Sequence, residues 1–205
     1  MKLLVVTYLP SGKDSRTKKL VDTFLENIKR KDQLEHLDLL EDTPDFFNKK
    51  NLEAYKTRNY KGKPLSTELQ KSIEKLDRMT KQFIAADVVV MAFPMYNFSL
   101  PGSIKSYFDS VMLKGETFDI GKKGFVGLME GKKALILMSS GGMYTGKNQK
   151  YDYAAPLAKL EFEFMGFSDV QIVWAQGVDM HTSDVEKIIA DAQAEVKKII
   201  KTWEL

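Results

Sequence analysis

Six consecutive residues, Val88-Val89-Val90-Met91-Ala92-Phe93, carry no polar side chain. Alternation of apolar and polar residues marks a strand with one wet face, whereas an unbroken run marks a strand buried on both faces. A strand of that kind sits in a parallel sheet with helices packed above and below it. The run breaks at Pro94 into a short aromatic and polar loop, Met95-Tyr96-Asn97-Phe98-Ser99, and Pro101-Gly102 breaks the chain again. A helix pattern follows, with apolar Ile104, Tyr107, Phe108, Val111 and Met112. Proline is tolerated at a helix start because its missing N–H has no intrahelical partner there. The stretch therefore reads as strand, loop and helix.

In open parallel sheets, ligands bind outside the carboxyl ends of the strands. The 95–99 loop sits at such an end, with aromatic side chains, backbone amides and an Asn suited to a flat heteroaromatic ligand. The same aromatics equally suit a cover over the sheet end, so the composition of this loop does not decide between the two.

The 205 residues contain no cysteine. That excludes a thiol nucleophile, a thiolate metal site and a CxxC redox pair, so any redox chemistry must reside in a bound cofactor. The chain is long enough for a core without disulfides, and one domain over residues 1–205 is expected. Absence of cysteine also fits a reducing, cytoplasmic setting. With 31 basic and 28 acidic residues, net charge +3, the balance gives no argument for nucleic acid. Met1 to Val6 is too short for a signal-peptide core and reads as a first strand. No apolar run reaches membrane-spanning length, so no membrane partner is expected.

Lys2 to Tyr8 is the first strand. After Leu9-Pro10-Ser11-Gly12-Lys13-Asp14, a helix opens at Ser15-Arg16-Thr17, with Leu20, Val21, Phe24, Leu25 and Ile28 at helical spacing. Asp14 and Ser15 are both candidate N-caps. Hydroxyls and N–H groups at a helix start make an anion site, with Arg16 adding charge; the plainer alternative is a cap beside solvated cations. Neither GxGxxG nor a Walker loop is present. Leu34 to Leu39 is a second strand nearer an edge, with His36 toward solvent. Residues 41–65 read as a long surface excursion, and 66–86 as one helix in which Thr67 and Gln70 allow a capping box. Residues 114–132 hold five glycines and read as irregular or hairpin-like, with Phe118, Phe125 and Leu128 able to approach a cleft.

Lys133 to Met138 is the fourth strand and runs into Ser139-Ser140-Gly141-Gly142. Paired glycines permit positive φ or close approach to a ligand, although a plain turn is the commoner use. Tyr151 to Met165 reads as a helix capped by Gly166, Val170 to Trp174 as the fifth strand and Gln176 to Asp179 as a loop. Thr182 or Ser183 then starts a last helix from Val185 to about Trp203. His181 has no cluster around it, so no metal site is expected.

Five β-α units with right-handed crossovers give a doubly wound five-stranded parallel sheet with helices on both faces, and the flavodoxin-like order 2-1-3-4-5 fits best. In that order the loops after strands 1, 3 and 4 converge. A helix N-terminus for a phosphate, an aromatic amide-rich loop for a ring and a Gly-Gly loop for its far edge together describe a flavin mononucleotide (FMN) site.

Pro94-Met95-Tyr96-Asn97-Phe98, with the 114–118 string Lys-Gly-Glu-Thr-Phe, resembles the FMN-dependent NADH-azoreductase family. The likeness runs through Ser15-Arg16-Thr17, Gly131 to Ala134, Ser139 to Gly142 and Gly166 to Val170. It implies that Ser15, Arg16 and Thr17 hold the FMN phosphate, that Met95, Tyr96, Asn97 and Phe98 line the ring, and that Ser139, Ser140, Gly141 and Gly142 approach its pyrimidine edge. It further implies a homodimer in which Phe118 or Phe164 of the partner chain covers the flavin. One departure stands out: several members carry Ser at the end of the first strand, where this chain has Tyr8 and Leu9.

The resemblance implies transfer of two electrons, as hydride, from NADH or NADPH through the flavin to a quinone or aromatic azo compound. Amide donors on the ring's pyrimidine side would stabilise negative charge there. No catalytic side chain is expected, because the cofactor carries the chemistry. The alternative is a flavodoxin-like electron carrier serving protein partners, though such carriers tend to be acidic. A receiver domain would need acidic residues where Tyr8-Leu9 and Phe93-Pro94 stand, and a serine hydrolase would need a GxSxG elbow.

Overall fold

The computed structural model describes residues 1–29 and 31–205. The five expected strands form five parallel strands: β1 (Leu3–Thr7), β2 (Leu34–Asp38), β3 (Val88–Pro94), β6 (Lys133–Ser140) and β7 (Asp169–Gln176). They lie in the order β2-β1-β3-β6-β7, which is 2-1-3-4-5 when the parallel strands alone are counted. Between β3 and β6, the glycine-rich stretch forms an antiparallel hairpin of β4 (Phe118–Gly121) and β5 (Gly124–Gly127). The helices are α1 (Arg16–Asn27), α2 (Lys49–Tyr55), α3 (Thr67–Lys71), α4 (Glu74–Ala85), α5 (Gly102–Val111), α6 (Ala155–Phe164) and α7 (Val185–Trp203).

The strands divide their side chains between two cores, as a period of two requires. Leu4, Val6, Val89, Met91, Phe93, Ile136 and Met138 meet Phe83, Tyr107, Phe108 and Phe162 on one side of the sheet. Leu3, Val5, Val88, Val90, Ala92, Leu135 and Leu137 meet Leu20, Phe24, Val196, Ile200 and Trp203 on the other. Burial on both faces is what the unbroken apolar runs require.

Several local expectations need correction. The 41–65 excursion is not an open loop. Asn48 and Asn51 cap each other reciprocally to start α2, and Ala54 and Tyr55 join Ile73, Leu76 and Leu113 in a third core. Arg58 then forks onto Asp77 through two hydrogen bonds of 2.7 and 2.8 Å. Residues 66–86 are two helices, broken at Ser72-Ile73, where Ile73 leaves helical geometry (φ −121°, ψ 9°) yet stays fully buried. The Thr67–Gln70 capping box does not form; the Ser66 hydroxyl caps α3 instead by accepting from Leu69 N–H.

Pro101 is the residue before α5 rather than its first turn. Residues 146–151 form a 3₁₀ turn, so α6 begins only at Ala155, after Asp152 accepts from the Ala154 and Ala155 N–H groups. Asp184, not Thr182 or Ser183, caps α7.

One buried group runs against the packing logic. The Tyr107 side chain is wholly buried in α5, and among the described residues its hydroxyl has no hydrogen-bond partner. Burial pushes its ionisation far above the ordinary value of 10.0. The Tyr107→Phe variant removes an unsatisfied polar atom and should raise unfolding free energy by about 1–2 kcal/mol. An unfolded tyrosine loses its proton near pH 10 while folded Tyr107 keeps it, so the wild type loses stability as pH rises past about 10. Denaturant titrations at neutral and alkaline pH should show both the gain and a shallower alkaline decline in the variant.

Candidate FMN site

The carboxyl ends of β1, β3, β6 and β7 open into one hollow of about 290 Å³. Ser11, Asp14, Ser15 and Arg16 line one side, Pro94, Met95 and Tyr96 a second, and Ser139, Ser140, Gly141, Val178 and Asp179 the rest. Seven of the expected residues are thus brought together: Ser15, Arg16, Met95, Tyr96, Ser139, Ser140 and Gly141. Phe98 and Gly142 line an adjoining hollow. Asn97 lies between Tyr96 and Phe98 and is solvent-exposed. Thr17 is buried beneath the site and does not line it.

Ser15 is the cap of α1, its hydroxyl accepting from Lys18 N–H at 3.2 Å. That leaves the Arg16 and Thr17 N–H groups at the helix start, where among the described residues no backbone partner takes them. Lys18 is engaged with Asp22 at 2.6 Å, so Arg16 is the cation that faces the hollow. The partial positive charge of the helix start and the guanidinium favour an anion there.

The 95–99 loop is held in a rarely adopted shape. Asn97 and Phe98 both have positive φ, 46° and 71°, although neither is glycine. Strain of this kind persists where surrounding contacts over-determine it. Met95 N–H donates to Ser139 O at 2.8 Å, Tyr96 and Ser99 exchange hydrogen bonds, and Tyr153 N–H donates to Phe98 O. The Asn97 and Phe98 N–H groups stay free among the described residues. Tyr96 stands edge-on to Tyr8 at 6.4 Å. Burial, and then Tyr8, push its ionisation above the ordinary value, so at neutral pH it is a hydrogen-bond donor.

The 139–142 loop behaves differently from the expectation for its glycines. Neither Gly141 nor Gly142 has positive φ. Gly141 is required by a neighbour: a Cβ there would lie 2.7 Å from Asp179 Oδ2. The serine hydroxyls are committed inward. Ser139 shares a 2.7 Å hydrogen bond with Thr17, and Ser140 donates to Gly142 O while accepting from the Trp174 indole. The loop therefore offers the hollow its backbone at Gly141, while Gly142 lines the adjoining one.

Val178 and Asp179 escaped the sequence reading. Gly177 and Val178 N–H groups donate to Ser140 O at 2.9 and 3.1 Å, which brings the loop after the last strand into the site. Phe118, Phe125 and Leu128 do not approach this hollow. Phe118 and Phe125 pack on Phe164 at 5.1 and 5.3 Å. Beside them, Met129 N–H donates to Met165 O and Ser168 N–H to Lys132 O, at the amino ends of β6 and β7.

These residues fit FMN: a helix start with a cation for a phosphate, and unpaired amides on two further loops for the polar edge of a ring. Among the described residues, no group of three or more His, Asp or Glu is placed to hold a metal ion.

Gly141→Ala should lower FMN affinity about tenfold or more, because the new methyl displaces Asp179 and the backbone with it. Asp179→Ala in the same chain should recover much of the loss, since it removes the atom met at 2.7 Å. Fluorescence titration of FMN across this double-mutant cycle checks both.

A family model described as a flavodoxin-like fold matches residues 1–200. An FMN-dependent NADH:quinone oxidoreductase of Coprothermobacter proteolyticus is 32% identical over 98% of this chain and 99% of its own. One from Bacillus anthracis is 30% identical over 96% of this chain and 92% of its own. A crystal structure of a Bacillus anthracis FMN-dependent NADH-azoreductase in complex with FMN superposes with a TM-score of 0.87, at 29% identity and with 98% of each chain covered. The chain belongs to the family of FMN-dependent NADH:quinone oxidoreductases, on the flavodoxin-like fold.

Proposed function

We propose that this chain is an FMN-dependent oxidoreductase that passes two electrons from NADH to quinones and aromatic azo compounds. The observation that carries the reading is that the α1 start, the 95–99 loop and the 139–142 loop meet around this hollow and its neighbour, with the backbone N–H groups of Arg16, Thr17, Asn97, Phe98, Gly141 and Gly142 unpaired among the described residues. Bound FMN would supply the two-electron hydride chemistry between donor and acceptor. The α1 start and Arg16 hold the phosphate. Met95 to Phe98 orient the ring, and the amides of Gly141 and Gly142 stabilise negative charge at its edge. The hydroxyls of Ser139, Ser140 and Thr17 act by fixing the loops. No side chain is assigned as an acid or base.

The reading extends to the whole chain as one domain with a doubly wound sheet, acting in the cytoplasm where nicotinamide donors are available. It also includes a second copy. Ile120, Phe125, Val126, Leu128 and Leu160 are all exposed, an apolar patch of the kind that marks an interface. Phe118 and Phe164 lie beside it, at the end of the sheet opposite their own chain's site, so they serve a flavin only across a dimer.

Purified protein should show flavin absorption, bleach with NADH in the absence of oxygen, and recover on addition of a quinone. Persistent bands with NADH would instead favour a carrier reduced by another protein. Sedimentation should give twice the 23.4 kDa chain mass; a monomer would remove the dimer from the reading.

A further inference from the structure

Among the described residues, one charged side chain is buried: Glu161 of α6, 7% exposed. A carboxylate taken out of water needs a partner. Its cation is Lys105 of α5, but the contact is long, 3.6 Å. Lys105 is drawn instead to Asp109, one turn further along its own helix. Two carboxylates thus share one ammonium, and the cluster is short of one positive charge.

The neighbouring elements do not supply it. On α6 itself, Lys159 pairs with Glu163 at 3.6 Å. On the hairpin, Asp119 is met by Lys114 at 3.3 Å, and Lys122 and Lys123 are exposed at the tip. On the strands packed against α6, Lys133 and Asp169 both turn to Trp203, at 5.4 and 2.7 Å. The charges that bear on Glu161 are those of Lys105 and Asp109. Burial holds the Glu161 carboxyl above its ordinary value; Lys105 draws it down, and Asp109 pushes it up again.

The cluster opens onto the face that carries the apolar patch. Leu160, the preceding residue, is exposed. Phe164, one turn on from Glu161, is the ring on which Phe118 and Phe125 pack. At the mouth of the cluster, the Lys105 and Asp109 side chains remain 41% and 44% exposed. The charges here come in opposite pairs, Lys105 with Asp109 and Lys159 with Glu163. Under a two-fold axis a surface meets its own copy, and a face of paired charges does not repel itself.

We infer that a second copy of this chain covers the α5–α6 face and that Glu161 takes up a proton as it does so, so that the dimer tightens as pH falls. The inference rests on the dimer in the reading above. In a free copy, water reaches the mouth of the cluster past Lys105 and Asp109; a covering copy removes that water. Loss of water favours the neutral acid, so Glu161 titrates at a higher pH in the dimer than in the free copy. Association is then strongest below the free-copy value and weakens as pH rises through the dimer value.

The test is the dissociation constant of FMN-loaded protein, measured by sedimentation over a dilution series between about pH 5 and pH 8, where Kd should rise by up to about tenfold per pH unit for each proton released. If dilution does not separate the copies, exchange between ¹⁵N-labelled and unlabelled protein, followed by native mass spectrometry, reads the same trend as a rate. Glu161→Gln is close in shape and cannot ionise, so it should keep the tight low-pH behaviour throughout. Asp109→Asn frees Lys105 for Glu161 and should move the transition to lower pH. Association of the wild type that is independent of pH would overturn the inference. So would a Glu161→Gln variant with the wild-type pH dependence, which would assign the titration to another group. A monomer at every pH would strike the dimer itself, on which the inference depends.

Discussion

Each central strand of the sheet is covered by apolar side chains on both faces, and this leaves the chain few places to present chemistry. Backbone polar groups inside the sheet are paired along β1, β3, β6 and β7. Unpaired donors can therefore gather only where strands end and helices begin. The order β2-β1-β3-β6-β7 puts the ends of β1, β3 and β6 side by side. The site is a consequence of that topology before it is a consequence of any particular side chain.

What the individual residues add is stiffness. Thr17 in the first turn of α1 and Ser139 at the end of β6 are far apart in sequence, yet their hydroxyls meet at 2.7 Å under the hollow. Met95 N–H donates to the carbonyl of the same Ser139, so one residue ties the start of α1 to the 95–99 loop. The Gly177 and Val178 amides close the other flank onto Ser140. Such a frame can hold Asn97 and Phe98 at positive φ, a conformation of order 1–3 kcal/mol each if left unsupported. It keeps their N–H groups without a backbone acceptor among the described residues.

The sheet was legible because apolar runs such as Val88 to Phe93 have one economical explanation. Its order followed from chain direction and crossover hand. The helices were legible where their apolar period was clean, as in α1 and α7, and less so where caps decided the outcome. Asn48 and Asn51 start α2 without the Ser/Thr and Glu/Gln pair that usually signals a capping box. The break at Ser72-Ile73 is invisible to periodicity because Ile73 stays buried through it.

In the site, Ser15, Arg16 and Met95 to Phe98 announced themselves by position after a strand. Thr17, Ser139 and Ser140 were found as residues, but the inward direction of their hydroxyls depends on tertiary contacts that no local pattern carries. Val178 and Asp179 gave no signal of their own; the need for Gly at 141 is explained only once Asp179 is seen against it. The five glycines of 114–132 left irregular chain and hairpin equally open, and the hairpin's place at the far end of the sheet follows from the packing of Gly127 on Gly166, where a Cβ would meet backbone at 2.3 Å.

The central claim is that the start of α1, with Arg16, grips the FMN phosphate at the carboxyl end of the sheet. The most direct measurement is the ³¹P resonance of bound FMN followed across pH. A free phosphate monoester changes charge near pH 6, moving its resonance through about pH 5 to 8. Held as a dianion by the Arg16 and Thr17 amides and the guanidinium, the bound phosphate should show a resonance that stays constant over that range. A resonance that titrates as it does in free FMN would place the phosphate in solvent and contradict the site as built.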